Sequence, residues 1–362
     1  MEPVIDWRLA STVAQGVAAA TPSPEWKAFE SVLAPVAESQ ALVSTYTGLV
    51  SRDPLPTPEA IQRAGWVEAN QRSMRGVLDP VVEHVGEKLG GPLRSALNAG
   101  AGALLAVEVG VLSGYLAQRV LGQYEFPVLE PEAPARLLFV GPNLADAAGK
   151  LDADSSDLLR WVALHETTHA LQFGGVPWLR EHIAAAVREL LSSATVDPRS
   201  ALRMPDASNI GALIDAIRSG GLPALVVKPE QRATLERMQA FMAVIEGYAE
   251  HVMDAVGVDL LPRLPELRKA LDERRRDRSG LLKLLERLIG LDMKLRQYEQ
   301  GKAFCDGVVQ RAGIAGLNQV WSRPEAMPSM AELDDPRGWL ARVAQHQLGS
   351  AEQPRIEPPA FP

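Results

Sequence analysis

The sequence is short of cysteine, of excess basic charge and of any uninterrupted apolar run. Its single cysteine, Cys305, excludes an internal disulfide framework. Lys and Arg total 37 against 45 Asp and Glu, a formal net charge of -8. That balance gives no general attraction for phosphate backbones, so a nucleic-acid partner is not expected. The densest basic run, Arg274-Arg275-Arg276-Asp277-Arg278, follows Leu271-Asp272-Glu273 on a helical pattern and reads as a solvated helix end. The first residues, Met1-Glu2-Pro3-Val4-Ile5-Asp6-Trp7, lack both the basic and the apolar region of a signal peptide, which makes the expected compartment cytoplasmic. The stretch nearest to a membrane span, Ala99 to Leu121, carries Glu108 centrally and Gln118-Arg119 near its end. A span needs about 20 mostly apolar residues. The pair Gly110 and Gly114 fits instead a close-packed buried helix, and no membrane partner is expected. No internal repeat is present.

What is present is enough to bury a large core: 362 residues, 46% of them hydrophobic, as one large domain or two smaller ones. Helical segments broken by Pro-rich turns, among them Asp53-Pro54-Leu55-Pro56-Thr57-Pro58, run over 1–121 as an N-terminal helical layer. Strand patterns follow at Tyr124 to Leu129 and Arg136 to Val140. Later helices are expected at Val176–Ser192, Ser208–Ser219, Pro229–Val256, Pro265–Arg276, Gly280–Ile289 and Leu291–Arg311. The metal-binding core is placed at 122–320, a loop and short helix at 321–348, and a Pro-rich disordered tail at 349–362. The expected fold class is mainly α (α+β), with a small sheet embedded among helices.

His165-Glu166-Thr167-Thr168-His169 carries the most chemistry. Ser155, Ser156 and Asp157 offer cap and first-turn residues, no Gly or Pro occurs from Leu158 to Phe173, and Gly174-Gly175 stops the helix. Two imidazoles four apart on a helix differ by only about 40° and can grip one zinc ion. Glu166 lies to one side, where a general base belongs. The competing reading is a buried helix whose histidines only satisfy core hydrogen bonds.

A zinc ion needs a third protein ligand, commonly a carboxylate. On the helix beginning near Pro229, Leu235, Met238, Met242, Ile245, Ala249, Val252 and Met253 form an apolar stripe that Glu246 interrupts. A carboxylate there needs a cation, which zinc would supply; an arginine such as Arg296 is the alternative. Glu250, one turn on, could orient a zinc-bound imidazole from the second layer. Tyr248 reads more readily as a core aromatic.

Glu246-Gly247-Tyr248-Ala249 resembles the E-G-x-A segment of gluzincin metallopeptidases, and Tyr298-Glu299-Gln300-Gly301 resembles the Y-E-K-G segment of the aminopeptidase-N-like branch. The resemblance implies one zinc per chain on His165, His169 and Glu246, with Tyr298 donating to the oxyanion. Apart from the resemblance, His251 is a second choice for that donor and, with Glu250, a second-layer candidate. Gln300 replaces the lysine and no G-x-M-E-N segment occurs, so aminopeptidase specificity does not carry over. Over most of the chain, Ile5-Asp6-Trp7, Leu138 to Asn143, the motif, Glu246 to Asp254, Leu291 to Phe304 and Gly316 to Trp321 resemble a bacterial family of zincin-like hydrolases and zinc-dependent metalloproteases. Some of its members are labelled only by association with deazaflavin-coenzyme biosynthesis. The resemblance implies a zincin-like catalytic fold with extra helices, acting on a peptide or another amide. A non-catalytic zinc-stabilised binding or assembly protein is the alternative.

Overall fold

The computed structural model of the chain describes residues 5–89, 102–193, 229–260, 266, 268, 269 and 296–351. The helices expected at Ser208–Ser219 and Gly280–Ile289, most of Pro265–Arg276, the start of Leu291–Arg311, the Arg274–Arg278 run and the tail from 352 lie outside the described residues. The described chain is mainly helical around a small sheet. In order come α1 (Trp7–Ala19), α2 (Leu33–Thr47), β1 (Pro58–Ile61), α3 (Arg63–Leu89), α4 (Gly102–Ala117), β2 (Gly122–Glu125), β3 (Arg136–Val140) and α5 (Gly141–Leu151). The motif helix α6 (Ser155–Gly175) follows, then α7 (Leu179–Ser193), α8 (Pro229–Leu260), α9 (Arg296–Leu317), α10 (Met330–Leu333) and α11 (Pro336–Ala351).

The three strands lie in the order β1-β3-β2. β1 runs parallel to β3 with Glu59 opposite Leu138, and β2 runs antiparallel with Gly122 opposite Phe139 and Tyr124 opposite Leu137. β3 occupies the residues its pattern predicts. β2 ends at Glu125, short of the expected Leu129, and starts two residues before the expected Tyr124. Pro127 has no N–H for a ladder. β1 was not expected at all. Pro, Glu and Ala are poor strand formers, and what holds the segment is its pairing with β3 plus a two-point bond from Arg136 to Glu59 at 2.7 and 3.0 Å. Because Val140 N–H bonds the carbonyl of Leu121 at 2.9 Å, alternation turns the backbone groups of Gly122 and Tyr124 toward the free edge of β2.

Helix α6 starts one residue earlier than its serines suggest: Asp154 is the cap, accepting from the backbone of Ser156 and Asp157 at 2.8 and 3.1 Å. At its other end a Cβ on Gly174 or Gly175 would run into Ser51 or the carbonyl of Val50, so these glycines let the segment around 50–52 cross the helix end. Between the ends α6 is buried on nearly all sides, by Leu158, Leu159, Trp161, Val162, Leu164 and Leu171 among others. Each fully buried side chain of this kind contributes roughly 1.5–3 kcal/mol, enough to offset the cost of holding polar groups in the same helix.

Helix α4 is the small-residue stretch. Its Gly110 and Gly114 press on α1, where an added Cβ would stand 2.6 Å from the carbonyl of Ala10 or 2.5 Å from that of Ala14. Among the described residues no helix is long and apolar enough to cross a membrane.

Helix α8 extends to Leu260, beyond the expected Val256, and from Ala240 to Met253 it is buried nearly all round; Met242 is the exposed member of its apolar stripe. It crosses α9 at two glycines. A Cβ on Gly247 would lie 2.2 Å from the carbonyl carbon of Gly301, and one on Gly301 would lie 1.9 Å from the carbonyl oxygen of Ala243. The E-G-Y-A and Y-E-Q-G segments therefore meet each other at their glycines. Further on, Gly313 breaks α9 with a φ of 65° that suits glycine alone.

Gly301→Ala is expected to lower stability by about 2 kcal/mol or more, because backbone cannot yield as a side chain can. Gly16→Ala, exposed on α1 with nothing within 4 Å, should gain up to about 1 kcal/mol from helix propensity. Thermal denaturation of both variants checks this, with opposite shifts in Tm expected.

Candidate metal centre

Three side chains from two helices converge. His165 and His169 present their Nε2 atoms 3.1 Å apart on one face of α6, and Glu246 of α8 brings Oε2 to 3.7 and 3.8 Å from them. The ligand atoms of the three all lie within 4.8 Å of one another. Among the described residues this is the group able to hold a metal. A tetrahedral ion with bonds near 2.0–2.1 Å separates its ligand atoms by about 3.4 Å, so the spacing fits.

The chemistry of the donors fits as well, and Gln172 carries that argument. Its side-chain NH2 donates to the carbonyl of Ile245 at 3.1 Å, which fixes Oε1 as an acceptor facing Nδ1 of His169 at 2.9 Å. Nδ1 must then carry the ring hydrogen, leaving the lone pair on Nε2. For His165, the indole of Trp161 stacks parallel at 6.2 Å and Sδ of Met253 meets Nδ1 at 3.2 Å. Two imidazole nitrogens and a carboxylate oxygen aimed at one point repel unless a proton or a cation lies between them, and a zinc ion suits this set.

Glu166 points elsewhere. Its Oε2 accepts from the backbone N–H of Tyr124 on the free edge of β2, at 2.9 Å. Gly122 makes the approach possible: a Cβ there would stand 2.7 Å from Cγ of Glu166. Burial pushes the Glu166 carboxyl up to about 7, against the pull of His169 and the Tyr124 N–H. The general-base candidate and the three ligand candidates thus share a helix pair but face different neighbours. Glu246 is the most open of the ligands, with 23% of its side chain exposed against 16% and 11% for the histidines.

The remaining candidates lie on the flank of α8. Glu250 accepts from Arg268 at 2.8 Å, and on His169 the orienting task falls to Gln172. His251 is engaged at both nitrogens, by the Tyr46 hydroxyl at 2.8 Å and by Asp306 at 2.7 Å. Lys302 bridges Asp306 and Asp254, which also pairs with Arg268. The chain of bonds from Tyr46 to Glu250 therefore ties α2, α8 and α9 together. Burial works against charge on Asp306, but hydrogen bonds from His251 and Lys302 outweigh it and hold the carboxyl below its ordinary range. Tyr248 is a core aromatic, its hydroxyl on Asn318 at 2.8 Å. Tyr298 belongs to the first turn of α9, and its side chain lies outside the described residues.

Gln172, Met253, Tyr124 and Gly122 were not picked out from the sequence as residues of the site. Gln172 was within reach, standing three residues after His169 on the ligand face of an expected helix. Tyr124 and Gly122 needed the sheet.

Comparison with known proteins gives the family. A model of the zincin-like metallopeptidase family matches residues 5–340. The crystal structure of a proposed hydrolase with a novel fold from Chloroflexus aurantiacus is similar, with 33% sequence identity, a TM-score of 0.73, and coverage of 94% of this chain and 99% of that one. No curated protein matches. With the family match spanning almost the whole molecule and enclosing the His165, His169 and Glu246 group, the chain belongs to the zincin-like metallopeptidase family.

Proposed function

We propose that the protein is a zinc-dependent hydrolase of peptides or other amides, with Glu166 as its general base. The observation that carries this reading is the pairing of a three-ligand group with a separately housed carboxylate. Three ligands with a partly exposed Glu246 suit a centre open to water and substrate, whereas a structural site is typically closed by a fourth protein ligand. That difference favours the hydrolase over a zinc-stabilised binding or assembly protein, which has no use for a base.

His165, His169 and Glu246 would hold the ion, one per chain. Zinc in that position supplies the positive charge that acidifies water and polarises a carbonyl. Glu166 takes the proton of the attacking water and returns it to the leaving nitrogen. The Tyr124 N–H fixes Oε2, so Oε1 is the oxygen assigned to proton exchange. Burial favours this role, since a carboxyl whose proton affinity sits near neutrality both takes and gives a proton at little cost. Tyr298 is assigned to the developing oxyanion. His251 is the weaker choice because Tyr46 and Asp306 already engage its ring.

Protein purified without chelator should contain one zinc per chain, and His165→Ala, His169→Ala or Glu246→Ala should lose it by metal analysis. Glu166→Gln should keep zinc and fold while cleavage of a mixed peptide library falls on the order of a hundredfold or more. Undiminished cleavage by Glu166→Gln would sink the mechanism.

Substitution of the outer layer gives a finer measurement. Gln172→Ala removes the acceptor on Nδ1 of His169 and the tie to Ile245, and should weaken zinc binding by roughly 10–100-fold in a competition titration. Glu250→Ala should stay within that range, while Glu246→Ala should abolish tight binding. Tight zinc binding retained by Glu246→Ala would remove Glu246 from the ligand set.

A further inference from the structure

Beside Glu166, on the same strand edge, stands a cluster that the proton chemistry does not use. The rings of Tyr124, Phe126 and Phe173 pack on one another at centroid distances of 5.0–5.9 Å, and all three are only half-buried. The Arg180 guanidinium lies 4.6 Å from the Phe126 centroid and 5.9 Å from that of Tyr124. It donates from Nη2 to the Tyr124 hydroxyl at 3.1 Å and from Nη1 to the carbonyls of Pro131 and Ala133 at 2.9 and 3.1 Å. Every one of these acceptors is neutral. Its Nε is buried without a hydrogen-bond partner among the described residues. Arg136, Arg188, Arg237, Arg268 and Arg342, by contrast, each meet a carboxylate.

A partly buried cation among aromatic rings and neutral oxygens is held in place, and no carboxylate among the described residues pairs with it. Its planar fork is shaped for a carboxylate. The location matters too. Tyr124 gives its N–H to Glu166 and its hydroxyl to the Arg180 bond, so one residue joins the two sites. Phe173 follows Glu166 by seven residues on α6, about 10 Å of helix rise. That is about three residues of an extended chain.

The geometry points to Arg180 as a specificity residue that receives a carboxylate of the substrate about two or three residues from the bond cut, with Tyr124, Phe126 and Phe173 as an apolar wall for the intervening group. This inference rests on the hydrolase reading. The carboxylate could be an acidic side chain or the free end of a peptide.

The test uses zinc-loaded Glu166→Gln, which binds without turnover, and calorimetric titration with matched N-acetylated tetrapeptides. The probes carry Phe beside Glu or beside Gln, each with a free or an amidated C-terminus. Tenfold or tighter binding of a carboxylate-bearing probe over its amide counterpart is expected. A preference for Glu over Gln identifies a side-chain carboxylate, and a preference for the free over the amidated end identifies the terminus. Adding Arg180→Gln should erase the preference, and adding Arg180→Lys should retain part of it. Should Arg180→Gln fail to fold, Arg180→Lys and the salt dependence of the preference decide, because a charge-based preference weakens with ionic strength. Absence of any carboxylate preference, or its persistence in folded Arg180→Gln, would overturn the assignment. The two readings fail separately. Arg180-dependent binding without cleavage by the wild-type protein would leave this site standing and remove the hydrolase, whereas cleavage indifferent to the carboxylate would do the reverse.

Discussion

The spacing between the motif helix and α8 depends on one buried amide. Gln172 satisfies the carbonyl of Ile245, the residue just before Glu246, while its oxygen faces Nδ1 of His169. An amide has one donor end and one acceptor end, so satisfying both partners permits a single orientation. That orientation sets the tautomer of His169, the direction of its lone pair and the distance to the carboxylate from the other helix. A buried amide with one end unmatched costs about 1–3 kcal/mol, so the arrangement resists rotation even without an ion. Ligand geometry and helix packing are here one problem with one solution.

The other face of α8 shows how that helix is kept from sliding. At Gly247 the backbones of α8 and α9 touch, which leaves no room for adjustment along the crossing. Beyond it the bonds joining Tyr46, His251, Asp306, Lys302, Asp254, Arg268 and Glu250 alternate in charge or in donor and acceptor role. A network of that kind gains from mutual polarisation and loses heavily if one member is left unpaired. Glu246 thus sits between an apolar contact with no slack and a polar chain that fixes the rotation of its helix.

How much of this was legible in the sequence follows from the range of each interaction. The motif helix, its glycine stop and β3 were readable because cap chemistry, helix breaking and strand patterning act within a few residues. Glu246 was readable as a candidate ligand because a carboxylate in an apolar stripe is anomalous by itself. β1 was not, since Pro58, Glu59 and Ala60 have no strand preference and are held by β3 and Arg136 about eighty residues away. The partners of His251 were equally hidden: Tyr46 lies 205 residues before it and Asp306 lies 55 after. The two gluzincin-like segments lie on α8 and α9, and the reason for their glycines, a backbone contact between the two segments, emerges only in three dimensions.

Glu166, the proposed general base, shows what a strand edge offers a buried carboxylate. A carboxylate buried among side chains alone would be pushed up by desolvation without any fixed orientation. The backbone N–H of Tyr124 opposes that push and fixes one oxygen at the same time, and it can do so because β2 is an edge strand whose outward groups are unpaired by β3. Backbone donors do not change rotamer, so the carboxylate is held by something as rigid as the sheet. A side chain on residue 122 would press on Glu166 and on Val162 alike, so the glycine is what lets β2 come this close to α6. Strand β2 therefore matters less for the stability of a three-stranded sheet than for where it puts one donor, and the same residue extends that edge outward to the aromatic rings and Arg180.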